Sequence, residues 1–429
     1  MIELLHVTAH LGGGVGKVLS RLVAESARRG DGLRHVVACL ERPEKTQFAE
    51  HLRSHGGTLV VCPDREELDR LVRRADLVQV EWWHHPALAA WLYAGELPAM
   101  RLVVWSHVSG LYPPVIPPAF AIAPHRFLFT SPCSWEHPAL ATLPDADKRR
   151  IDAVHSSGGF DDLPWPPERV AGEPLRVGYL GTLNRAKLTP DLLDYLAAVR
   201  LPGFRLALVG DAGPAAELQS AAAQRGMAGL LEVRGYRADV AAELAGFDVF
   251  AYLLNHMHYG TTENALLEAM AMGAVPVVLN NPAERVLVRH GETGLIVEGP
   301  ESFAAALDRL AQEPGERLRM SANAASAVRQ GYSVARTADR LWHHYQAVLD
   351  EARRPFDFRP VFGATPGEWF RTCQGSEADR FSESGQARRS DRGPHFLYEK
   401  TKGSVFHYRT YFPEDARLAY WANYLETHS

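Results

Sequence analysis

The sequence predicts an α/β protein made of two successive doubly wound parallel sheets with an appended C-terminal segment, and three observations lead there. The chain has 429 residues, more than one hydrophobic core serves, so two domains are expected. Its β-branched runs are apolar without period-two alternation and are separated by helical patterns, which is how parallel strands covered on both faces read. This pattern stops at a stretch rich in Pro and Gly over residues 156–174 and then starts again, which marks a linker between two α/β units.

Taken in order, residues 2–8, 35–40, 77–81 and 102–105 read as strands, and 17–29 as a helix, of a first domain over 1–170. Residues 176–180, 205–209, 231–234, 249–253 and 275–279 read as strands of a second domain over 171–350, with helices between them. Ligands bind open α/β sheets beyond the carboxyl ends of their strands, so a cleft between the domains is the expected site. The segment 351–429 differs in kind. Between positions 355 and 429 lie 15 of the chain's 40 Phe, Trp and Tyr residues, with 10 basic and 10 acidic residues that cancel. The stretch 375–393 has the composition of a mobile polar loop, while the aromatic ends need apolar cover. An ordered extension packed on both domains is expected.

With 46% hydrophobic and 23% charged residues, the chain is not disordered as a whole. The balance of 46 Lys+Arg against 51 Asp+Glu gives net charge −5, which excludes a nucleic-acid binder working by bulk charge neutralisation. Only six of the bases are lysines: Lys17, Lys45, Lys148, Lys187, Lys400 and Lys402. Each lysine in this arginine-rich chain therefore invites a reason. Cys39, Cys62, Cys133 and Cys373 form no Cys-x-x-Cys pair, which suits a reduced cytoplasm. The opening residues lack the basic and apolar regions of a signal peptide. The longest stretch without Asp, Glu, Lys or Arg, 102–125, carries Pro113, Pro114, Pro117, Pro118 and Pro124, which a membrane-spanning helix would not hold. A cytoplasmic protein is expected, with peripheral contact at the inner membrane surface left open through this proline loop.

Three motifs carry the chemistry. Gly12-Gly-Gly-Val-Gly-Lys17 directly follows the first strand. It is no Walker loop, since Leu11 and Val18 stand where Gly and a hydroxyl are needed, and no dinucleotide fingerprint, since Lys17 stands where the third Gly is required. A glycine turn opening a helix remains, either a plain tight turn or one whose N–H groups approach phosphate. Gly181-Thr-Leu-Asn-Arg-Ala-Lys187 places Arg185 and Lys187 at a strand end, where two cations suit a diphosphate and a solvated loop is the plain alternative. In Tyr259-Gly-Thr-Thr-Glu-Asn-Ala-Leu-Leu-Glu-Ala-Met-Ala-Met-Gly-Ala-Val-Pro-Val-Val278, Thr261 or Thr262 suits an N-cap, Gly273 a helix end and Val275 the start of a buried strand. Leu266, Leu267 and Met270 make a core stripe, and Glu268 has no obvious partner on a helix of small residues.

On these residues the chain resembles the retaining nucleotide-sugar glycosyltransferases of family 4, which have the GT-B fold. Leu208-Val-Gly-Asp-Ala-Gly-Pro214, Leu231-Glu-Val-Arg-Gly-Tyr236, Phe247-Asp-Val-Phe-Ala-Tyr252, Glu284 and His290-Gly-Glu-Thr-Gly-Leu-Ile-Val297 continue the resemblance, and Val103-Val-Trp-Ser-His107 extends it into the first domain. It covers residues 1–350. The resemblance implies a nucleoside diphosphate sugar held mainly by the second domain and an acceptor on the first. Lys187 would hold the diphosphate, with Arg185 in place of an arginine that would fall at Thr182. Glu268 would grip the ribose hydroxyls, backbone amides around Leu266 and Leu267 and the helix N-terminus at Thr262 would meet phosphate, and Gly13 and Gly14 would approach from the other domain. His107 would lie beside the donor sugar, and Arg234 and Tyr236 near the base.

The chain departs from the family's Glu-x7-Glu pair by having Gly260 where the first carboxylate should stand. Glu263 is the nearest acid, expected to turn aside to sugar hydroxyls or to a cation such as Arg285, or else to be a plain first-turn helix acid. The expected activity is transfer of a sugar, with retention, to a hydroxyl on a glycan, lipid-linked, small-molecule or protein acceptor, with no cofactor and no metal. His107, Lys187 and Glu263 are the expected catalytic group. A catalytically silent GT-B subunit that binds a nucleotide sugar or a partner enzyme is the competing reading, and a hydrolysing epimerase of this fold a third. His84-His85 and His256-x-His258 lack a companion cluster at zinc spacing, and Asp145-Ala-Asp147 lies in a loop with its own counter-charges, so no metal site is expected.

Overall fold

Strand Ile2–Thr8 is buried on both faces from Leu4 onward, and it lies in the middle of a parallel sheet. The computed structural model of the chain describes residues 1–43, 46–167, 175–184, 186–382 and 400–427, with backbone alone at 212–214. It divides into two units, one of Met1–Gly158, Tyr259–Thr262 and Val334–Ser429, the other of Gly159–His258 and Glu263–Ser333.

In the first unit seven strands lie in the order Thr58–Val61, Leu33–Cys39, Ile2–Thr8, Leu77–Trp82, Leu102–Ser106, Arg126–Phe129, Ile151–Ala153. All are parallel. Ile2–Thr8 pairs with Leu33–Cys39 along its whole length, Ile2 opposite Leu33 and Thr8 opposite Cys39. The strand order reverses beside Ile2–Thr8, and such a switch point is where open sheets gather ligands. The helix Gly13–Arg29 returns across the sheet and ends at Gly30, whose left-handed conformation lets its N–H donate to the Ser26 carbonyl, while Arg28 and Arg29 face the negative end of the dipole.

The helix Val334–Leu349 was expected in the second domain, but it belongs to the first unit. Leu341, Tyr345 and Val348 recur at helical spacing and pack with Leu4, Val18, Leu22 and Trp105, so one apolar stripe decides its place. The expected boundary at 170/171 lies outside the described residues. The described part of the extension is counted with the first unit. Arg354–Phe356 adds antiparallel to Leu97–Met100. Phe362 then stacks on Tyr93 with ring centres 3.7 Å apart and meets Phe120 edge-on at 5.1 Å. Phe370, Phe381, Tyr408 and Trp421 are buried in the layer that follows. Most of the polar stretch 375–393 and the aromatics Phe396 and Tyr398 lie outside the described residues.

The second unit holds six parallel strands in the order Leu231–Gly235, Leu206–Val209, Val177–Leu180, Val249–Tyr252, Val275–Leu279, Leu295–Val297. The helix Asn264–Ala271 buries Leu266, Leu267 and Met270 as expected. Gly273 ends it with φ +73, where a Cβ would stand 2.8 Å from Ser321 Oγ and 2.9 Å from Pro166. Its N-cap is Glu263, not a threonine. Thr262 Oγ1 instead donates to the Thr130 carbonyl at 2.6 Å and accepts from Ser156 N–H, and Thr261 shares a hydrogen bond with the Thr130 hydroxyl. Among the described residues no helix is long and apolar enough to cross a membrane.

The extension's anchoring can be tested at Phe362. Phe362→Ala removes a ring that is fully buried between Tyr93 and Phe120, so it is expected to destabilise the first unit by about 3–5 kcal/mol. Urea unfolding reads this as a lower midpoint, and an unchanged midpoint would show the contact to be superficial.

Candidate active site

The second unit builds a buried charge at the carboxyl ends of its central strands. Lys187 lies in the loop after Val177–Leu180, held by its own N–H, which donates to Asn184 Oδ1 at 3.0 Å, and by its carbonyl, which accepts from Asn255 N–H at 2.8 Å. Its Nζ donates to Glu263 Oε2 at 2.5 Å, and the Tyr252 hydroxyl donates to the same oxygen at 2.5 Å. His258 Nδ1 stands 3.7 Å from Glu263 Oε1, and His258 Nε2 stands 2.9 Å from Glu284 Oε1. Burial pushes the Glu263 carboxyl up, but the Lys187 ammonium, His258 and the two hydrogen bonds outweigh it and hold the group below the usual carboxylate range. Burial, and then Glu263 beside it, pushes the Tyr252 hydroxyl well up, so it stays a donor.

Lys187 and Glu263 are thus brought together as each other's partner. The cation that Glu263 turns to is Lys187 and not Arg285, whose guanidinium donates to Asn280. Leu266 and Leu267 are core side chains, and the Leu267 N–H, expected at a phosphate, donates to the Glu263 carbonyl instead. Glu268 is buried one turn further along the same helix. Arg234 donates to Glu232 and Glu243 and lies over the Phe247 ring, while Tyr236 is exposed. Thr262 spends its hydroxyl on Thr130. Arg185 lies outside the described residues. Sequence reading assigned no role to Tyr252, His258 and Glu284, although a Tyr closing a buried strand and a Glu after a strand end were visible.

The first unit holds a second polar group. Gly13, with φ +55, opens the helix, and a Cβ at Gly16 would stand 2.4 Å from the Leu11 carbonyl, so the tight turn has its own steric reason. Gly13 and Gly14 are exposed there. His107 follows Leu102–Ser106 and its Nε2 lies 2.8 Å from Glu81 Oε2. Glu81 is fully buried, which raises its pKa, yet His107 and then His6 hydrogen-bond it and hold it at about 2. An ionised carboxylate only accepts, so His107 carries its proton on Nε2 and His6, 3.0 Å away, on Nδ1. His6 Nε2 and His35 Nδ1 lie 3.0 Å apart in a hydrogen bond between the two rings. Burial, helped by His6, holds His35 down at about 3, so it is neutral. His6 and His35 line a cavity of about 210 Å³ together with Asp31 and Tyr345. The Gln79 amide donates to Glu81 at 2.7 Å and the Tyr345 hydroxyl to Gln79 at 2.5 Å. His35, His6, Glu81 and His107 thus form one continuous hydrogen-bonded chain. The signal that sequence reading passed over was a histidine, a glutamine and a glutamate inside strands otherwise apolar.

Glu81 ionises in the fold at about 2 against an ordinary 4.5, so its stabilisation is present above about pH 4.5 and is lost as pH falls toward about 2. Unfolding midpoints measured from about pH 6 to 3 are expected to fall less steeply in Glu81→Gln than in the parent. Parallel curves would contradict the assignment.

With both sites placed, the chain's likeness to other proteins can be read. Residues 174–313 match the family described as glycosyl transferases group 1. Over 183 residues the chain is 32% identical to the lipopolysaccharide core biosynthesis glycosyltransferase LpsE of Rhizobium meliloti, covering 37% of this chain and 52% of that protein. Over 101 residues it is 42% identical to a D-inositol 3-phosphate glycosyltransferase of Rhodococcus jostii, covering 22% of each. The alignment therefore spans about half of the first relative and less of the second. Among solved structures, a glycosyltransferase from Rickettsia africae superposes with TM-score 0.65 at 14% identity over 82% of this chain and 99% of that one. HepE of Anabaena in complex with UDP-glucose superposes with TM-score 0.64 at 17% identity over 81% of this chain and all (100%) of that one. The chain has the GT-B fold of these proteins, and its likeness in sequence to group 1 glycosyl transferases lies in the second unit.

Proposed function

We propose that this protein is a nucleotide-sugar-dependent glycosyltransferase that moves a sugar from a nucleoside diphosphate to a hydroxyl acceptor with retention at the anomeric carbon and without a divalent metal. The observation that carries this is the Lys187–Glu263–Tyr252 group at the strand ends of the unit that matches group 1 glycosyl transferases. As the glycosidic bond breaks, negative charge grows on the leaving diphosphate. A cation already fixed and partly desolvated there favours the transition state more than the ground state. An ammonium has three N–H donors, and Glu263 takes one while fixing the direction of the others. The bond from the anomeric carbon to the phosphate oxygen breaks with its electrons on the diphosphate, the acceptor oxygen bonds on the same face, and the acceptor's proton passes to a phosphate oxygen. Glu268 is assigned to the ribose hydroxyls. His107, with its proton turned to Glu81, presents Nδ1 as an acceptor for a hydroxyl of the donor sugar.

HepE was solved with UDP and with UDP-glucose, which makes UDP-sugars the first donors to try, and the part of LpsE in lipopolysaccharide core biosynthesis makes a cell-envelope glycan the first acceptor class. Cytoplasmic action with peripheral contact at the membrane fits that acceptor. Incubation with UDP- and GDP-sugars is expected to release nucleotide faster in the presence of acceptor extracts, unaffected by EDTA, and NMR of the product should show the donor's anomeric configuration. No turnover with any donor would favour a silent binding subunit. Lys187→Ala is expected to lower turnover at least tenfold, about 1.4 kcal/mol. Because Glu263 positions Lys187, Glu263→Gln is expected to weaken UDP and UDP-sugar binding alike. Loss of sugar-donor binding with UDP affinity unchanged would instead place Glu263 at the sugar.

A further inference from the structure

Three loops leave the carboxyl ends of neighbouring strands in the first unit and bring polar side chains together. His10 follows Ile2–Thr8, Glu41 follows Leu33–Cys39, and His85 follows Leu77–Trp82. The extension adds His407 from the helix Val405–Tyr411. That helix is moored closely. The Tyr408 ring stacks on His84 at 4.7 Å with its hydroxyl 3.2 Å from His84 Nδ1, and at Gly403, φ +87, a Cβ would stand 2.8 Å from the His84 carbonyl. Glu41, His85 and His407 each offer an oxygen or ring nitrogen within 4.8 Å of the others.

This spacing would suit a metal ion, but the tautomers do not. Ala87 N–H donates to His85 Nδ1 at 3.1 Å, and Gly403 N–H donates to His407 Nδ1 at 3.0 Å. Each neutral ring therefore carries its proton on Nε2. A metal-bound imidazole has the reverse arrangement, with a lone pair on the metal and the other nitrogen donating. The cluster is a pair of N–H donors beside a carboxylate. His85 Nε2 is buried and has no hydrogen-bond partner, with Glu41 Oε2 3.5 Å away. A buried donor whose nearest acceptor stands this far off can take a closer oxygen.

Charge narrows the ligand further. Burial holds His407 down at about 4 and lowers His85 as well, so both are neutral near pH 7. His85 beside it, above all, holds Glu41 at about 2, and an ionised carboxylate among the donors opposes a phosphate. The Tyr411 hydroxyl also bonds Glu41, and Lys402 Nζ stands 3.2 Å from His10 Nε2 at the rim. Trp83 lies edge-on to His85 at 4.6 Å, and Tyr411 is partly exposed. Neutral donors, one acceptor carboxylate and aromatic edges match the hydroxyls and C–H faces of an uncharged sugar ring.

We propose that Glu41, His85 and His407 bind a neutral polyhydroxylated ring of the acceptor, Glu41 accepting from its hydroxyls and the two imidazoles donating to them, with the extension supplying His407 as a specificity determinant. Naming the ligand as the acceptor rests on the glycosyl-transfer reading; binding of a sugar ring does not. The full chain labelled with 15N-histidine is titrated with methyl α-glucopyranoside, methyl α-galactopyranoside, methyl α-mannopyranoside and myo-inositol, and separately with Zn2+ and with inorganic phosphate. Long-range 1H–15N spectra are expected to show Nε2–H tautomers at His85 and His407 and to shift with at least one of the four polyols. His407→Ala and Glu41→Gln are each expected to weaken that polyol at least tenfold while UDP affinity stays within twofold, which also reports that the variants are folded. Nδ1–H tautomers, stabilisation by micromolar Zn2+ that His407→Ala removes, shifts with phosphate alone, or no shift with any polyol would each overturn the proposal. Failure of the unsubstituted chain to bind UDP would count against the glycosyl-transfer reading and leave the polyol titration intact.

Discussion

An ionised carboxylate in a protein interior must be surrounded by donors, because burying it unpaired costs several kcal/mol and would otherwise protonate it. Glu81 in the first unit and Glu263 in the second are such carboxylates, each near the carboxyl ends of strands, and many neighbouring side chains answer to them. Glu81 accepts from His107 and His6, and His6 carries the hydrogen-bonded chain on to His35. Glu81 also draws in Gln79, which in turn accepts from Tyr345. The helix Val334–Leu349 is therefore tied to the first sheet by a polar thread as well as by its apolar stripe. Glu263 does the same for Lys187 and Tyr252, and the chain of contacts continues through His258 to Glu284. Neither carboxylate could be replaced by a neutral group without leaving several partners to find new hydrogen bonds.

Position follows from the sheets. In a parallel sheet the loops after the carboxyl ends all emerge on one edge, so side chains from strands far apart in sequence meet there. His10, Glu41 and His85 meet in the first unit by this rule, and Lys187, Tyr252 and Glu263 in the second. The extension adds what the first sheet lacks. Phe358 and Phe362 cover Phe120 and Tyr93, and the same segment, held at His84, carries His407 to the strand ends. Packing and recognition are two consequences of one docked segment.

What the sequence disclosed followed from how local each signal was. The central strands were legible because most of their residues are apolar, whereas Thr58–Val61, Arg126–Phe129 and Ile151–Ala153 are edge-side pieces of three or four residues that carry no period. Lys187 stood out by the rarity of lysine, but its partner lies 76 residues on, and a resemblance that points to phosphate does not reveal it. Thr262 obeys the N-cap rule locally and was expected to cap, yet the Thr130 carbonyl, 132 residues away, takes its hydroxyl. The aromatic count in 355–429 required cover and could not say which unit supplies it. His6 and Glu81 were invisible for the opposite reason. A polar residue inside a buried strand reads as a break in pattern until its partners are known.

The glycine at position 260 can be understood in the same terms. Tyr259–Thr262 is counted with the first unit, where the Tyr259 carbonyl accepts from Ser109 N–H and both threonines engage Thr130. The second unit resumes at Glu263, which caps its helix with the backbone and spends its side chain on Lys187. The carboxylate nearest the missing one is thus committed to orienting a cation. A side chain with both oxygens in hydrogen-bond or ion-pair range of Lys187, Tyr252 and His258 has little capacity left for sugar hydroxyls. On the proposed glycosyl-transfer reading, donor choice would then rest on uncharged groups, which discriminate between sugars by fit and by hydrogen bonds that a wrong epimer leaves unmade, not by the strength of a charged contact.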